Sequence, residues 1–153
     1  EAARPAMTVE MHDESATDSE ELFIAWLTPL GRATIRVNDD TPLPVRRVQE
    51  IDANTDDNVF YKTATVSVHT LCDANLPNAE SLAAQAADDT HRRLLYLKRH
   101  PGTDIVLVGN RVANVDYLDV VQDPIWVDYD NDQILRKVGR YEIGVAFAPV
   151  PSP

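Results

Sequence analysis

The stretch YKTATVSVHTL, residues 61–71, decides the fold of this chain. Its apolar residues alternate with polar ones, Ala64, Val66 and Val68 against Thr65, Ser67 and His69. Alternation with a period of two predicts a half-buried strand, because successive side chains point to opposite faces of a sheet. The chain is therefore expected to contain a sheet with one buried face and one polar face.

His69 belongs to the polar face of this strand and has two interpretations. As a functional residue it would be a ligand or a proton carrier, since its ordinary pKa lies near neutrality. As a structural residue it would face a neighbouring layer or a neighbouring subunit. The sequence favours the structural interpretation.

The sequence pattern also predicts two helices. A short one begins at Asp18 or Ser19 and ends at Pro29 and Gly31, with acids in its first turn. A longer one begins after Asn78 and ends before residues 101–102, a Pro-Gly pair. Their expected apolar stripes are Leu22, Phe23, Trp26, Leu27 and Leu30 in the first helix, and Leu82, Ala83, Ala86, Ala87, Thr90, Leu94, Leu95 and Leu97 in the second.

Further strands are predicted at residues 33–37 and 44–51, followed by a long polar loop at residues 52–58. DIVLVGNRVANVDYLDVV, residues 104–121, has the pattern of a hairpin that turns at Gly109 and Asn110. ILRKVGRYEIGVAFAPV, residues 134–150, predicts a long last strand. Its apolar side is Tyr141, Ile143, Val145 and Phe147. The expected fold is α+β, a mostly antiparallel sheet packed by one long and one short helix, with a long C-terminal strand.

The length of 153 residues suits one domain. We place it at residues 20–148, after a flexible acidic N-terminal arm (1–19) and before a Pro-rich tail (149–153). Cys72 is the single cysteine, so no internal disulfide can form. No apolar run approaches the roughly 20 residues of a membrane span, and no membrane partner is expected.

The formal net charge of −11 disfavours binding to nucleic acid phosphates and to anionic lipid. Basic residues nevertheless cluster in HRRLLYLKRH, residues 91–100. Cations at a helix C-terminus complement the helix dipole, and this interpretation is preferred to a phosphate-binding patch.

DPIWVDYDNDQ, residues 123–133, raises the question of a metal site. Asp128, Asp130 and Asp132 have the alternate spacing that opens an EF-hand loop, but Gln133 and Gly139 stand where glycine and glutamate are required. The stretch is therefore expected to be an acidic turn between two strands. Trp126 within it either folds back on the sheet or awaits a partner.

Motifs for catalysis and for metal binding are absent from the sequence. It contains no nucleophile elbow, no P-loop and no dinucleotide fingerprint, and its four histidines lack zinc-helix spacing. We expect no cofactor, no metal and no catalytic residue.

The order of elements resembles the tail terminator proteins of long-tailed, non-contractile bacteriophages, of the actinobacteriophage and lambda-like type. The similarity covers about residues 22 to 147, as a pattern and without a sharp motif. The segments that carry it are TPLPVRRVQEIDANTDDNVFYKTATVSVHTL (41–71), AAQAADDTHRRLLYL (83–97) and ANVDYLDVVQDPIWVDYDNDQILRKVGRYEIGVAF (113–147).

This resemblance implies a subunit that catalyses no reaction and assembles into a hexameric ring at the head-proximal end of the virion tail. The subunit would be made in the host cytoplasm. The ring would cap the tube of tail tube protein, stop its polymerisation and offer a surface to the head-completion or connector protein. Double-stranded DNA would pass through its lumen without specific binding.

In such a ring, the alternating polar faces and the acidic turns are candidates for contacts between subunits and for the lining of the lumen. Candidates for the interface are Arg46, Arg47, Trp126, Asp128, Asp130, Asp132, Arg136, Arg140 and Glu142. Candidates for the lumen or for the tube-facing rim are the acidic loops, with Asp39, Asp40, Asp56 and Asp57. Ordinary solvated turns remain the alternative for these loops.

Two other functions stay open on the sequence alone. A head-completion or stopper protein of the neck would also form a ring and lack catalysis. From a different class, a small acidic enzyme or ligand-binding domain could use His69 with nearby aspartates.

Overall fold

One six-stranded sheet organises the part of the chain that the structure, a computed structural model, describes, residues 9–150. In spatial order its strands are β2 (Ala33–Thr34), β3 (Val45–Asp56), β4 (Tyr61–Asp73), β7 (Ile134–Ala146), β6 (Val112–Trp126) and β5 (Thr103–Val106). Neighbouring strands are antiparallel except for the short β2, which is parallel to β3. The predicted α+β class and the long last strand are confirmed.

Two helices, α1 (Ser19–Leu27) and α2 (Ala79–Arg99), pack on one face of this sheet. Asp18 caps α1 as predicted, since its carboxylate accepts a hydrogen bond of 2.9 Å from the backbone N–H of Glu20. Leu22, Phe23 and Leu27 are fully buried against the strands. The core is a single cluster that joins the apolar sides of both helices to those of β3, β4, β6 and β7.

The apolar stripe of α2 differs from the predicted one in its first half. The buried residues there are Ala79, Ala83 and Ala87, whereas Leu82 is half exposed. Small side chains let the helix lie close to the sheet. They also leave room for Arg46 of β3, whose side chain lies beneath the helix and bonds to it. The second half agrees with the prediction at Thr90, Leu94 and Leu97.

Strand β3 is longer than predicted. The segment expected to be a polar loop, residues 52–58, continues the strand to Asp56, and only residues 57–60 turn into β4. Asp52 to Asp56 pair in register with Thr65 to Tyr61. A polar sequence can form this strand because β4, which is central, supplies one full ladder of hydrogen-bonding partners.

The predicted hairpin joins β5 and β6, but its turn is not a two-residue one. Val106 pairs with Val112, and the backbone N–H of Leu107 donates to the carbonyl of Arg111 at 2.7 Å. Gly109 and Asn110 both have positive φ, as the turn prediction requires.

Strand β6 also exceeds the prediction and runs to Trp126, so the acidic turn is confined to residues 127–133. The β6–β7 pairing contains irregularities between Val115 and Tyr117 and again between Val120 and Ile125. Pro124 lies in this second region, and proline in a strand is found at edges and bulges.

Part of the predicted N-terminal arm has structure. Strand β1 (Glu14–Ser15) pairs antiparallel with β8 (Ala148–Pro149), and the N–H of Val150 donates to the carbonyl of Asp13. A short ladder therefore joins part of the arm, which was expected to be flexible, to the end of the stretch that was predicted as the last strand. The predictions for residues 1–8 of the arm and 151–153 of the tail lie outside the described residues.

Within the described residues, neither helix has the length and apolarity that crossing a membrane would require.

Candidate assembly surface

The sheet is covered by helices on one side only, and its other side is here called the helix-free face. Core residues of β4 and β7 alternate with residues that point away from the helices. Those residues include Thr65, Ser67 and His69 of β4, Arg136, Val138, Arg140 and Glu142 of β7, and Arg47 and Gln49 of β3, and the same alternation places the buried Leu71 and Val45 on this face. The helix-free face is thus mostly polar and includes side chains that are well buried, such as that of Ser67.

Three arginines surround His69 on this face, and we call Arg47, Arg136 and Arg140 the arginine cluster. Arg47 is directly opposite His69 in the β3–β4 register. Arg136 and Arg140 stand two residues on either side of Val138, which is opposite His69 in the β4–β7 register. Diagonal neighbours across a sheet lie about 7–8 Å apart, so all three guanidinium groups can reach the histidine's surroundings.

The arginine cluster has few partners of its own. Arg47 Nε donates to the carbonyl of Ile35 at 3.3 Å, and Arg136 Nη2 donates to the carbonyl of Asp128. Among the ion pairs of residues 9–150, none involves these three arginines. The acid on the same face, Glu142, accepts a hydrogen bond of 2.8 Å from the hydroxyl of Tyr117.

His69 is held neutral within the cluster. Burial, and then the charges of Arg136, Arg47 and Arg140, lower its pKa from 6.5 to about 4. Its Nε2 lies 3.0 Å from Ser67 Oγ. Its Nδ1 is buried without a hydrogen-bond partner, and so is Nε of Arg136.

A second feature is an acidic, exposed segment at the other end of β3. We call residues 51–60 the acidic hairpin, since all ten are exposed and they include Asp52, Asp56 and Asp57. It also exposes apolar side chains, of which Val59 is 67% exposed. The outer edge of β3 is open here, because β2 pairs with β3 only at Arg46 and Arg47.

Arg46 is not on the surface, so its assignment to an interface is wrong. Its side chain points under α2 and is only 4% exposed. Nε donates to Thr90 Oγ1 at 2.6 Å and Nη2 donates to the carbonyl of Ala86 at 3.3 Å. Burial lowers its pKa. Its role is to tie β3 to the helix.

The other predicted interface residues on the acidic turn are exposed. Asp128, Asp130 and Asp132 lie in the turn between β6 and β7. Trp126 belongs to β6 and not to that turn, and it is 48% exposed with Lys137 Nζ 5.0 Å from its ring centre. Residues 9–150 contain no grouping of three or more His, Cys, Asp or Glu side chains arranged to hold a metal ion.

The predicted lumen residues divide into two places. Asp39 and Asp40 are in the exposed loop after β2, where Asp39 and Asp130 line the same depression of about 560 Å³. Asp56 and Asp57 are in the acidic hairpin, at the opposite end of β3. The structure therefore does not bring the four aspartates together.

The basic run of α2 is largely occupied by contacts within the chain. His91 Nδ1 lies 2.8 Å from the hydroxyl of Tyr141, and Arg93 stacks 3.5 Å from the ring centre of Trp26. Lys98 pairs with Asp119 at 3.3 Å. These contacts favour the structural interpretation of the run over a phosphate-binding patch.

Sequence reasoning missed the exposed apolar residues of the acidic hairpin, Ile51, Val59 and Phe60. Ile51 precedes the polar stretch DANTDDN, residues 52–58, and Val59 and Phe60 follow it as a pair, so neither a helical nor a strand period marks them.

No family model and no curated protein matches this chain. Among solved structures, a chain described as "Virion of native gene transfer agent (GTA) particle" is similar, with a TM-score of 0.49 and 14% sequence identity. The similarity covers 84% of this chain and 87% of that chain. These values are too low to establish a common fold or a common function.

Proposed function

We propose that this protein is a structural component of a phage virion, namely a tail terminator that forms a ring. It binds no substrate and catalyses no reaction. The ring caps the tail tube at its head-proximal end, stops tube polymerisation and provides the surface to which the head attaches. Six copies of the chain make the ring, which contacts the tail tube protein on one side and the connector on the other.

The observation that carries the proposal is the order of elements on a single sheet. The chain folds as short helix, strands β2 to β4, long helix, hairpin β5–β6 and long strand β7. This is the order on which the resemblance to tail terminators rests. The α+β architecture that the resemblance implies is the one that the chain has.

The one-sided sheet supports assembly as the purpose of this fold. On the helix-free face, Arg47, Arg136 and Arg140 form no ion pair among residues 9–150. Guanidinium groups bind carboxylates well, and a neighbouring subunit would supply such carboxylates.

The charge of the chain supports a conduit for DNA. At −11 per chain, a ring carries a strongly negative field that repels phosphates. A DNA molecule that adhered to the wall would stall during ejection, and repulsion avoids this. Asp56 and Asp57, or Asp39 and Asp40, are candidates for the acidic lining.

The decisive experiment is binding to purified tail tubes, imaged by negative-stain microscopy with light scattering for the mass of the free protein. A tail terminator binds one end of each tube as a ring and prevents further growth from that end. Binding to the portal side of filled heads without binding to tubes would instead identify a stopper protein. Catalytic turnover that is lost in His69→Ala would overturn the structural proposal.

A genetic measurement gives an independent test. Phage that lack the protein are expected to produce tails of irregular, excessive length that do not join to heads. Tails of regular length joined to capsids would contradict the proposal.

A further inference from the structure

We propose that the arginine cluster on the helix-free face is the acceptor for the acidic hairpin of a second copy of this chain. The inference rests on the proposed ring and names the two surfaces of its head-to-tail contact. The acceptor is Arg47, Arg136 and Arg140 around His69, and the inserted segment carries Asp52, Asp56 and Asp57.

The acceptor arginines form no ion pair among the described residues. Three guanidinium groups lie around one histidine without a carboxylate partner there, although the protein has 25 acidic and 14 basic residues. Guanidinium groups form strong, often bidentate hydrogen bonds with carboxylates, so an incoming aspartate would satisfy this cluster.

The acidic hairpin has the composition of an inserted segment. Its three aspartates form no ion pair among the described residues, and Ile51, Val59 and Phe60 expose apolar surface beside them. Apolar anchors next to charged groups are typical of protein–protein contacts, whereas isolated solvated turns have no need of them.

The tip of the hairpin, with Asp56 and Asp57, cannot reach the cluster of its own chain, whereas Asp52 pairs with Thr65 on the same face and lies nearer to it. Arg47 and Asp56 lie in the same strand, nine residues apart, which corresponds to about 30 Å at 3.3 Å per residue. A contact between them must therefore join two copies. Because the two surfaces are different, the contact is heterologous, and repeating it by rotation closes a ring.

A nucleic acid is the less suitable occupant of the cluster. Phosphates approaching a chain of net charge −11 meet an unfavourable field, and Glu142 lies on the same face as the arginines. The hairpin of an identical chain presents the adjacent carboxylates of Asp56 and Asp57 together with apolar surface that the contact can bury.

The test uses cysteine cross-linking that leaves every charge in place. In a Cys72→Ala background, Asn58→Cys marks the hairpin turn and Gln49→Cys marks the helix-free face beside the cluster; both sites are exposed. A chain with both cysteines should give a ladder of products up to the ring with a short thiol cross-linker. Moving the acceptor cysteine to Arg92→Cys, exposed on α2, should abolish the ladder.

Charge reversal then identifies the pairing. Arg140→Glu alone and Asp57→Arg alone should each weaken the association about tenfold or more, and combining these two single reversals should restore part of it. Arg140 is exposed and forms no ion pair among residues 9–150, so folding should be retained. Arg92→Glu is the matched control with the same change of charge and should have no effect.

The outcomes separate this inference from the proposed function. An unchanged ladder in the reversed variants, no restoration in the combination, or no association of the unmodified chain would overturn the inference. So would loss of DNA binding in Arg140→Glu while the rings persist. If Arg140→Glu caps tubes as well as the unmodified chain does, the inference about this contact is wrong and the proposed function stands. If cross-linked ladders form through this contact but the protein does not bind tubes, the tail terminator function is wrong and the contact stands.

Discussion

At the scale of single residues, Gly144 shows how closely the helix-free face is packed. A Cβ at this position would overlap the ring of Tyr117 and the hydroxyl of Tyr61. Both tyrosines are fixed by hydrogen bonds, Tyr61 to Asp116 at 2.7 Å and Tyr117 to Glu142 at 2.8 Å. Neither ring can therefore move aside without losing a partner.

Gly144→Ala should lower the free energy of unfolding by about 1–3 kcal/mol, the usual cost of excess volume in a packed site. Urea denaturation followed by circular dichroism would measure it. Ala146→Ser, an exposed change in the same strand, serves as the control and should be close to neutral. An unchanged midpoint for Gly144→Ala would show that the two tyrosines do not hold these positions.

His69 should make stability depend on pH. Its pKa is 6.5 in the ordinary state and about 4 in the folded chain, lowered first by burial and then by Arg136, Arg47 and Arg140. As pH falls from about 6.5 to about 4, the unfolded chain takes up a proton at this position and the folded chain does not. The contribution of His69 to stability is complete above this window and is lost through it.

We expect His69→Gln to lose less stability than the unmodified chain between about pH 7 and about pH 5, a range mostly above the titration of ordinary carboxyl groups. Urea midpoints of both proteins at the two pH values provide the comparison. Equal losses would mean that His69 is protonated as readily in the folded chain as in the unfolded one.

At the scale of elements, α1 is attached to α2 by a reciprocal contact. Trp26 Nε1 donates to the carbonyl of Arg93 at 2.8 Å, and Arg93 Nε donates to the carbonyl of Trp26 at 2.9 Å. The guanidinium also lies 3.5 Å from the centre of the tryptophan ring, a cation–π geometry. One of these hydrogen bonds and the stacking contact depend on the arginine side chain, whereas Trp26 Nε1 bonds to the backbone carbonyl of the same residue.

Arg93→Ala should destabilise the protein by about 1–3 kcal/mol, because it removes the stacking on Trp26 and leaves the carbonyl of Trp26 without its donor, although the bond from Trp26 Nε1 to the backbone of residue 93 is kept. Arg92→Ala is the matched control on the exposed side of α2. Hydrogen exchange should show faster exchange in α1 for Arg93→Ala only. Equal protection of α1 in both variants would argue against the attachment.

The elements with strong periodicity could be predicted, and those set by tertiary pairing could not. The alternation of residues 61–71 and the cap at Asp18 identify β4 and α1 from the sequence alone. The extension of β3 through Asp52–Asp56 could not be predicted, because polar residues in that order resemble a loop. What makes them a strand is the ladder that β4 offers, a contact between separate segments.

The candidate surface was predictable in composition but not in arrangement. Alternation placed Arg136, Arg140 and His69 on polar faces of their strands. These faces are adjacent because β4 pairs with β7, although β5 and β6 come between these two strands in the sequence. The burial of Arg46 beside the partly exposed Arg47 is likewise decided by the position of α2.

At the scale of the whole molecule, two electrostatic effects act on ring formation in opposite directions. Copies with a net charge of −11 repel one another over distances of several ångströms to tens of ångströms. The contact between the arginine cluster and the acidic hairpin attracts at short range. Screening acts first on the long-range term, since the Debye length is about 10 Å at 0.1 M salt and about 30 Å at 0.01 M.

Ring formation should therefore depend on salt in a non-monotonic way. Between about 10 mM and 150 mM sodium chloride, screening of the overall repulsion should increase the oligomeric fraction. Towards about 1 M, where the Debye length is about 3 Å, loss of the arginine–aspartate attraction should reduce that fraction. Light scattering across a salt series measures this directly. Arg140→Glu should lower the maximum, because it lowers the charge of the arginine cluster from +3 to +1 and weakens the short-range attraction, and Arg92→Glu should keep it. A continuous rise with salt in the unmodified chain would indicate a contact held by apolar surface such as that of Val59 and Phe60, without a contribution from the arginine cluster.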